Sequence, residues 1–374
     1  MRHLKSSLLA LAASLAVVAC GGGSSADTTP RTAITSVKVF GDSLADSGTF
    51  GYKFTLQDKD SQIYPERVAA AYGQKLCTFY KATSANSFVN NPTAGCTNYA
   101  IGGGRINFAS VPGDKRDVTV QLTDAAATGY TASDLALIDG GGNDAADLIS
   151  AFLVAGTAAD PTAANLRGLL GSLGVTPASM DTAGFSAAGG VYMTKLADRL
   201  AASVTTNVLG KGAQQVAILN IPAVTKTPKF QMVLASIKAS KGADVATQLE
   251  GLFNTWIGAF NTELASKFAS EPKVVVIDFF TSFMDEVANP AQFGLQNATT
   301  PACPAVGIGS DGLPTYDFPS CTTTALSTNV PTGATGGANW WQSYAFSDSF
   351  HPTLYGHQLV AQLISKSLAI KGWL

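Results

Sequence analysis

Along the chain, short apolar or β-branched runs break off at glycine, proline or a small polar residue. Five stand out: Ser36–Phe40 running into Gly41-Asp42-Ser43, 97–101 into Gly102-Gly103-Gly104, 134–139 into Gly140-Gly141-Gly142-Asn143-Asp144, 215–221 into Pro222, and 274–278. They are nearly continuous in apolar character rather than alternating, the pattern of strands buried on both faces in a parallel sheet. Between them, apolar residues recur at helical spacing over 64–72, 187–209 and 245–268, and 354–368 predicts a closing amphipathic helix. Strands alternating with helices predict a doubly wound α/β sheet. The stretch 155–190, rich in Ala and Gly and poorly periodic, is expected to be an insertion of small helices. The stretch 289–339, full of Pro, Thr and Gly, is expected to be a long surface loop.

At the N-terminus, Arg2, His3 and Lys5 precede an apolar run over 8–18, which leads into Val17-Val18-Ala19-Cys20. The run has the length of a signal-peptide core and is too short to span a bilayer as a stable helix. An apolar residue at −3 and a small one at −1 before Cys20 resemble a bacterial lipobox, in which the cysteine is acylated and becomes the mature N-terminus. The expected organisation is a lipoprotein signal peptide over 1–19, a flexible Gly/Ser tether over 20–33 and one hydrolase domain over 34–374. Gly21, standing where Asp would favour inner-membrane retention, resembles lipoproteins sorted to the outer membrane. The expected location is therefore exported, on the periplasmic or cell-surface face, with the N-terminal lipid as membrane contact.

Composition narrows the partners. Charged residues make up 13% of the 374, the net charge is −2, and there is no basic patch or run of like charge. A nucleic-acid partner is not expected, and a monomer is. With Cys20 lipidated, Cys77, Cys96, Cys303 and Cys321 remain, and they fall as two local pairs. In an oxidising compartment that spacing predicts disulfides 77–96 and 303–321. A zinc site would need more histidine and a C-x-x-C, so no metal or cofactor is expected.

In a parallel sheet, ligands bind beyond the carboxyl ends of the strands. Ser43 is expected there, between a strand and a helix, its N–H near a helix start where an anion could bind; alone it could equally be a helix N-cap. A serine nucleophile needs a base, and past the leader the chain has only His351 and His357. Asp348, three residues before His351, can reach the imidazole within one turn and fix its tautomer. His357 begins an apolar stripe with Leu359, Val360 and Leu363, which points to packing or capping. Backbone N–H groups of the 102–104 glycines and the Asn143 amide could form an oxyanion hole, each donor worth about 3 kcal/mol. No phosphate-loop or dinucleotide glycine pattern accompanies these glycines. Phe50, Tyr52 and Phe54 follow Ser43, and Trp340, Trp341, Tyr344, Phe346 and Phe350 surround Asp348. At least one of the adjacent tryptophans is expected at the cleft, in an apolar slot suited to short or medium acyl chains.

Taken together, Gly41-Asp42-Ser43-Leu44, Asn98-x-Ala100-x-Gly102-Gly103, Gly141-x-Asn143-Asp144 and Asp348-x-x-His351-Pro352 resemble, in order, the four blocks of the GDSL/SGNH hydrolases. The resemblance covers nearly all of the chain beyond the tether. It implies a flavodoxin-like three-layer α/β/α fold, the SGNH hydrolase fold, with a central parallel sheet of about five strands in order 2-1-3-4-5. It also implies metal-free hydrolysis of small-molecule or lipid carboxylic esters through an acyl-enzyme. Carried over residue by residue, Ser43 is the nucleophile, His351 the base and Asp348 its orienter. Ser43, Gly103 and Asn143 form the oxyanion hole, with Gly102 as the alternative to Gly103. The stretch Asp46-Ser47-Gly48-Thr49 departs from the commoner family form, which has Asn after that glycine. Two other readings are a lysophospholipase or lipase-type lipid hydrolase and a non-catalytic ligand-binding surface lipoprotein. The α/β-hydrolase signature G-x-S-x-G is missing, because Ile308 precedes Ser310 and Ala188 follows Ser186 where glycines belong.

Overall fold

Four of the five apolar runs become one sheet. The computed structural model describes residues 33–374. The expected signal peptide, Cys20 and all but the last tether residue lie outside them. In chain order the elements are β1 (Ser36–Phe40), α1 (Tyr64–Ala71), β2 (Tyr80–Ser84), β3 (Ser87–Asn90), α2 (Val118–Ala126), β4 (Asp134–Ile138), α3 (Gly142–Val154), α4 (Ala164–Gly171), α5 (Thr182–Asn207), β5 (Gln215–Leu219), α6 (Pro228–Lys241), α7 (Ala243–Phe268), β6 (Val274–Ile277), α8 (Phe279–Ala288), β7 (Asn297–Pro301), β8 (Gly307–Ile308), β9 (Pro314–Thr315), α9 (Thr323–Thr328), β10 (Tyr344–Phe346) and α10 (Leu354–Ile370). The central sheet runs β1-β4-β5-β6, all parallel.

Successive side chains of a strand point to opposite faces, and the two faces here collect two separate cores. Phe40, Ala136, Ile138, Val216 and Ile218 face Leu122 of α2, Leu148 of α3, Leu196 of α5 and Phe260 of α7. Val37, Val39, Leu135, Leu137 and Leu219 face Val68 of α1 and Val360 and Ile364 of α10. Helices cover both faces, giving the three-layer α/β/α arrangement.

The fifth strand is a correction. Segment 97–101 does lie beside β1, with Val39 N–H donating to Thr97 O (3.0 Å), Tyr99 N–H to Val39 O (2.8 Å) and Ile101 N–H to Gly41 O (3.2 Å). It forms only single bridges, Asn98 with Val39 on one side and with Thr78 on the other. Side chains have taken over the ladder: Thr97 Oγ1 donates to Val37 O (2.8 Å) where a backbone N–H would, and Asn98 Oδ1 accepts from Ala100 N–H (3.0 Å). The spatial order 2-1-3-4-5 holds, with its outer place filled by this irregular segment.

Two other regions differ from expectation. Segment 155–190 contributes to the main core, where Leu166 and Leu170 of α4 are fully buried. It also starts α5 five residues early, because the Asp181 side chain caps it by accepting from Gly184 N–H (2.8 Å). Segment 289–339 is less loop than subdomain. Its β7 pairs with β10, and the Cys303–Cys321 disulfide anchors a small core of Leu56, Leu326, Trp340 and Trp341.

Candidate active site

The end of β1 is tied to the end of β4. A Cβ on Gly41 would sit 1.5 Å from Asp139 Oδ1, and the residue's φ is +154°, so only glycine lets the two ends meet. Asp42 N–H donates to Asp139 Oδ1 (3.1 Å), and Tyr64 Oη donates to Asp139 Oδ2 (2.8 Å). Burial pushes both carboxyls above the ordinary carboxylate range, Asp139 furthest because it also faces Asp42. Asp42 then turns the chain: its Oδ1 accepts from Leu44 N–H (3.0 Å), and Ala45 N–H donates to Asp42 O (3.2 Å). Ser43 therefore sits on a side-chain-braced turn, not at a helix start as expected. The helix cannot begin because Asp42 and then Asp46, which accepts from Gly48 and Thr49 N–H, take the donors it would need. The next helix starts at Tyr64.

After β10 the chain makes a tight loop closed by Ser347 N–H donating to His351 O (2.8 Å). Inside it Asp348 Oδ1 accepts from Phe350 N–H (2.8 Å) and His351 N–H (2.5 Å), while Oδ2 faces His351 Nδ1 at 2.9 Å. The other ring nitrogen, Nε2, lies 2.7 Å from Ser43 Oγ. Burial alone would raise the Asp348 carboxyl, but the imidazole and the two amides outweigh it and hold it below the ordinary range. Asp348 thus stays ionised and aims the imidazole at the serine.

Against the turn that carries Ser43 lie the 102–104 glycines and Asn143. Gly102 N–H donates to Asp46 Oδ2 (2.8 Å) and Gly104 N–H to Ile101 O (3.0 Å). Gly103, at φ +76°, is the one of the three whose N–H has no acceptor among the described residues. A Cβ on Gly104 would lie 3.1 Å from Asp42 Cα, so this loop rests directly on the serine turn. Asn143, in the first turn of α3, donates from Nδ2 to Gly104 O (2.9 Å) and Asp42 Oδ2 (3.3 Å).

Two residues to which the sequence assigned no role lace the loop to α3. Arg105 Nη1 donates to Gly103 O (2.6 Å), and the same guanidinium holds both Asp147 oxygens (2.5 and 3.0 Å). The buried Asp144 carboxylate accepts from Ile106 and Asn107 N–H, both at 2.9 Å, although burial raises its pKa to about 7. Asp144 closes the Gly141-x-Asn143-Asp144 block, which marks its position but not this role; Arg105 carries no periodic or motif signal.

A family profile of the GDSL-like lipase/acylhydrolases matches residues 37–364. The chain belongs to this family. No curated protein matches the chain. The family acts on ester bonds, so this GDSL hydrolase is a hydrolase of esters, with a small-molecule ester or a lipid as substrate.

From Ser43 and His351 of the hydrolase a cleft runs past the ends of β5 and β6 and beneath α8, walled by Leu44, Phe279, Phe283, Phe346, Phe350 and Leu359. On the far side of His351, Phe54 and Phe318 each approach its ring to 5.4 Å. The tryptophans are a correction. Both are buried in the subdomain core, and their Nε1 atoms donate to Leu326 O (2.9 Å) and Ser327 Oγ (3.1 Å) on α9. They sit in a 3₁₀ turn, Gly337–Ser343, whose neighbouring side chains diverge by about 120° and so embrace α9 from two directions. His357 is fully buried in α10, its Nδ1 accepting from Tyr64 N–H (3.3 Å), and takes no part in the serine contacts.

Cys77 pairs with Cys96 and Cys303 with Cys321, which marks the hydrolase as an exported, non-cytoplasmic protein. Among the described residues no helix is long and apolar enough to cross a membrane, and no three His, Cys, Asp or Glu side chains converge as metal ligands.

Proposed function

We propose that this GDSL hydrolase cleaves carboxylic esters through an acyl-enzyme on Ser43. One observation carries the reading: an unbroken hydrogen-bond line from Asp348 Oδ2 to His351 Nδ1 (2.9 Å) and from His351 Nε2 to Ser43 Oγ (2.7 Å). His351 takes the Ser43 proton as Oγ attacks the ester carbonyl, and Asp348 stabilises the imidazolium that forms. The imidazolium protonates the departing alcohol; water, activated by the same imidazole, then releases the acid. The carbonyl oxygen turns toward the N–H groups of Ser43 and Gly103 and the Asn143 amide. For Asn143 this means exchanging its long contact with Asp42 for the oxyanion, a stronger acceptor.

The acyl chain lies along Leu44, Phe283 and Phe346, which favours short or medium acyl esters. Rates from acetyl to palmitoyl should rise and then fall; a steady rise to palmitoyl, enhanced on emulsions, would favour a lipid hydrolase instead. A fluorophosphonate probe tests the mechanism: it should label Ser43, and not the Ser43→Ala protein. Absence of labelling in the wild type would favour a non-catalytic binder. We also propose that the protein is a monomer tethered to the outer membrane by lipid on Cys20, which Cys20→Ser should release into the soluble fraction.

A further inference from the structure

Glu286 is an anomaly in the cleft. It lies on α8, is 7% exposed, and shares the pocket with Ser43 and His351 among the apolar side chains of Phe283, Phe346 and Leu359. Its one hydrogen bond among the described residues comes from Ser282 Oγ (3.2 Å), a turn earlier on the same helix. Among the described residues no salt bridge reaches it; its ionisable neighbour is Asp285, of the same sign, and burial raises its carboxyl to about 7. Its second oxygen has no partner among the described residues and is not sealed off, so it opens onto the cleft, where a pocket for plain alkyl chains gains nothing from a carboxyl. The placement makes sense if a bound substrate supplies the missing partner.

We propose that Glu286 selects acyl chains bearing a hydroxyl group over plain alkyl chains of equal length. The hydroxyl completes the hydrogen bonding of the carboxyl while the methylenes lie against Phe283, Phe346 and Leu359. A hydroxyl suits the site better than an ammonium, because the apolar walls would impose the full desolvation cost of a second charge. The inference rests on the ester-hydrolase reading and on the cleft taking the acyl side.

The test compares methyl alkanoates with their hydroxyalkanoate counterparts, terminal methyl replaced by hydroxyl, over a range of chain lengths followed by titration of released acid. In the wild type, the kcat/KM ratio of hydroxy to plain ester should peak at one or two neighbouring lengths. Glu286→Leu should lower that peak ratio by about tenfold or more, because a site built for a hydroxyl discriminates through its own unpaired group. Glu286→Gln, which still donates and accepts, should keep the ratio within about threefold of wild type. Equal ratios in wild type and Glu286→Leu at every length would overturn the role of Glu286 and leave the esterase intact. Failure to hydrolyse any ester in either series, with Ser43 unlabelled by fluorophosphonate, would overturn both.

Discussion

The two arms that meet at Ser43 are built in opposite ways. The proposed acid–base arm is local: Asp348 makes three hydrogen bonds, all to residues within three positions of itself. The proposed oxyanion arm is assembled across the fold. Gly102 is tied to Asp46 over 56 residues, Asn143 to Asp42 over 101 and Arg105 to Asp147 over 42. A four-residue turn sets its own geometry whatever the rest of the core does. An arm held by long-range contacts inherits every shift of α3 and the glycine loop. In the proposed mechanism the base is positioned robustly, whereas oxyanion stabilisation is where distant packing can tune the rate.

The largest effects should come from breaking the local arm. Ser43→Ala and His351→Ala should each lower kcat/KM by about 10⁴-fold or more, and the double variant by little beyond either single one. Asp348→Ala should cost less, since it orients rather than reacts. Near-wild-type turnover by a folded Ser43→Ala protein would break the comparison, because there would be no arm to compare.

The assembled arm should give smaller, graded losses. Asn143→Ala should lower kcat about 10²–10³-fold with little change in KM, because the oxyanion exists only after attack. A pure rise in KM would place Asn143 on the ground-state substrate. Arg105→Ala should lower kcat about tenfold by freeing Gly103 O and Asp147 together. Arg105→Lys should restore only part of this, because an ammonium cannot hold both ends as the planar fork does. Unchanged kinetics in Arg105→Ala would show that the lacing is structural only.

The same division explains what was legible in the sequence. Asp348 and His351 could be read together because their contact is local, and the strands because burial on both faces writes a continuous apolar run. What failed was whatever a partner side chain decides. Ser43 looked like a helix start until Asp42 and Asp46 took the backbone donors. Segment 97–101 looked like a strand until Thr97 Oγ1 took a ladder acceptor. At least one of Trp340 and Trp341 looked like a cleft residue, because a 3₁₀ turn around α9 cannot be foreseen from two adjacent letters. Gly102 and Gly103 were indistinguishable until Asp46 claimed one N–H. Glu286 left no trace in the pattern, since its meaning lies in what surrounds it.

The smallest effect on turnover is expected at His357, and it sharpens the comparison by testing which histidine the local arm uses. His357 is fully buried, its Nδ1 accepts from Tyr64 N–H at the start of α1, and its Nε2 has no hydrogen-bond partner among the described residues. Since Nδ1 accepts, the neutral ring carries its proton on Nε2. Burial pushes the pKa well below 6.5, and the facing His351, Arg67 and Lys53 push the same way. His357→Asn should therefore keep kcat/KM within about threefold of wild type at neutral pH. A folded variant that lost activity more than about a hundredfold would transfer the base to His357 and undo the assignment of His351. Stability should respond where turnover does not. The unfolded chain binds a proton at His357 below about pH 6.5 and the folded chain does not, so wild-type stability falls as pH drops through that value. This group contributes a slope of up to about 1.4 kcal/mol per pH unit, fading to almost nothing by about pH 8. The variant lacks it, so the stability advantage of the wild type in urea unfolding should shrink steadily from pH 7 to pH 5. A gap that stayed constant would mean that the folded protein protonates His357 as readily as the unfolded chain does, and that the ring is not sealed between α1 and α10.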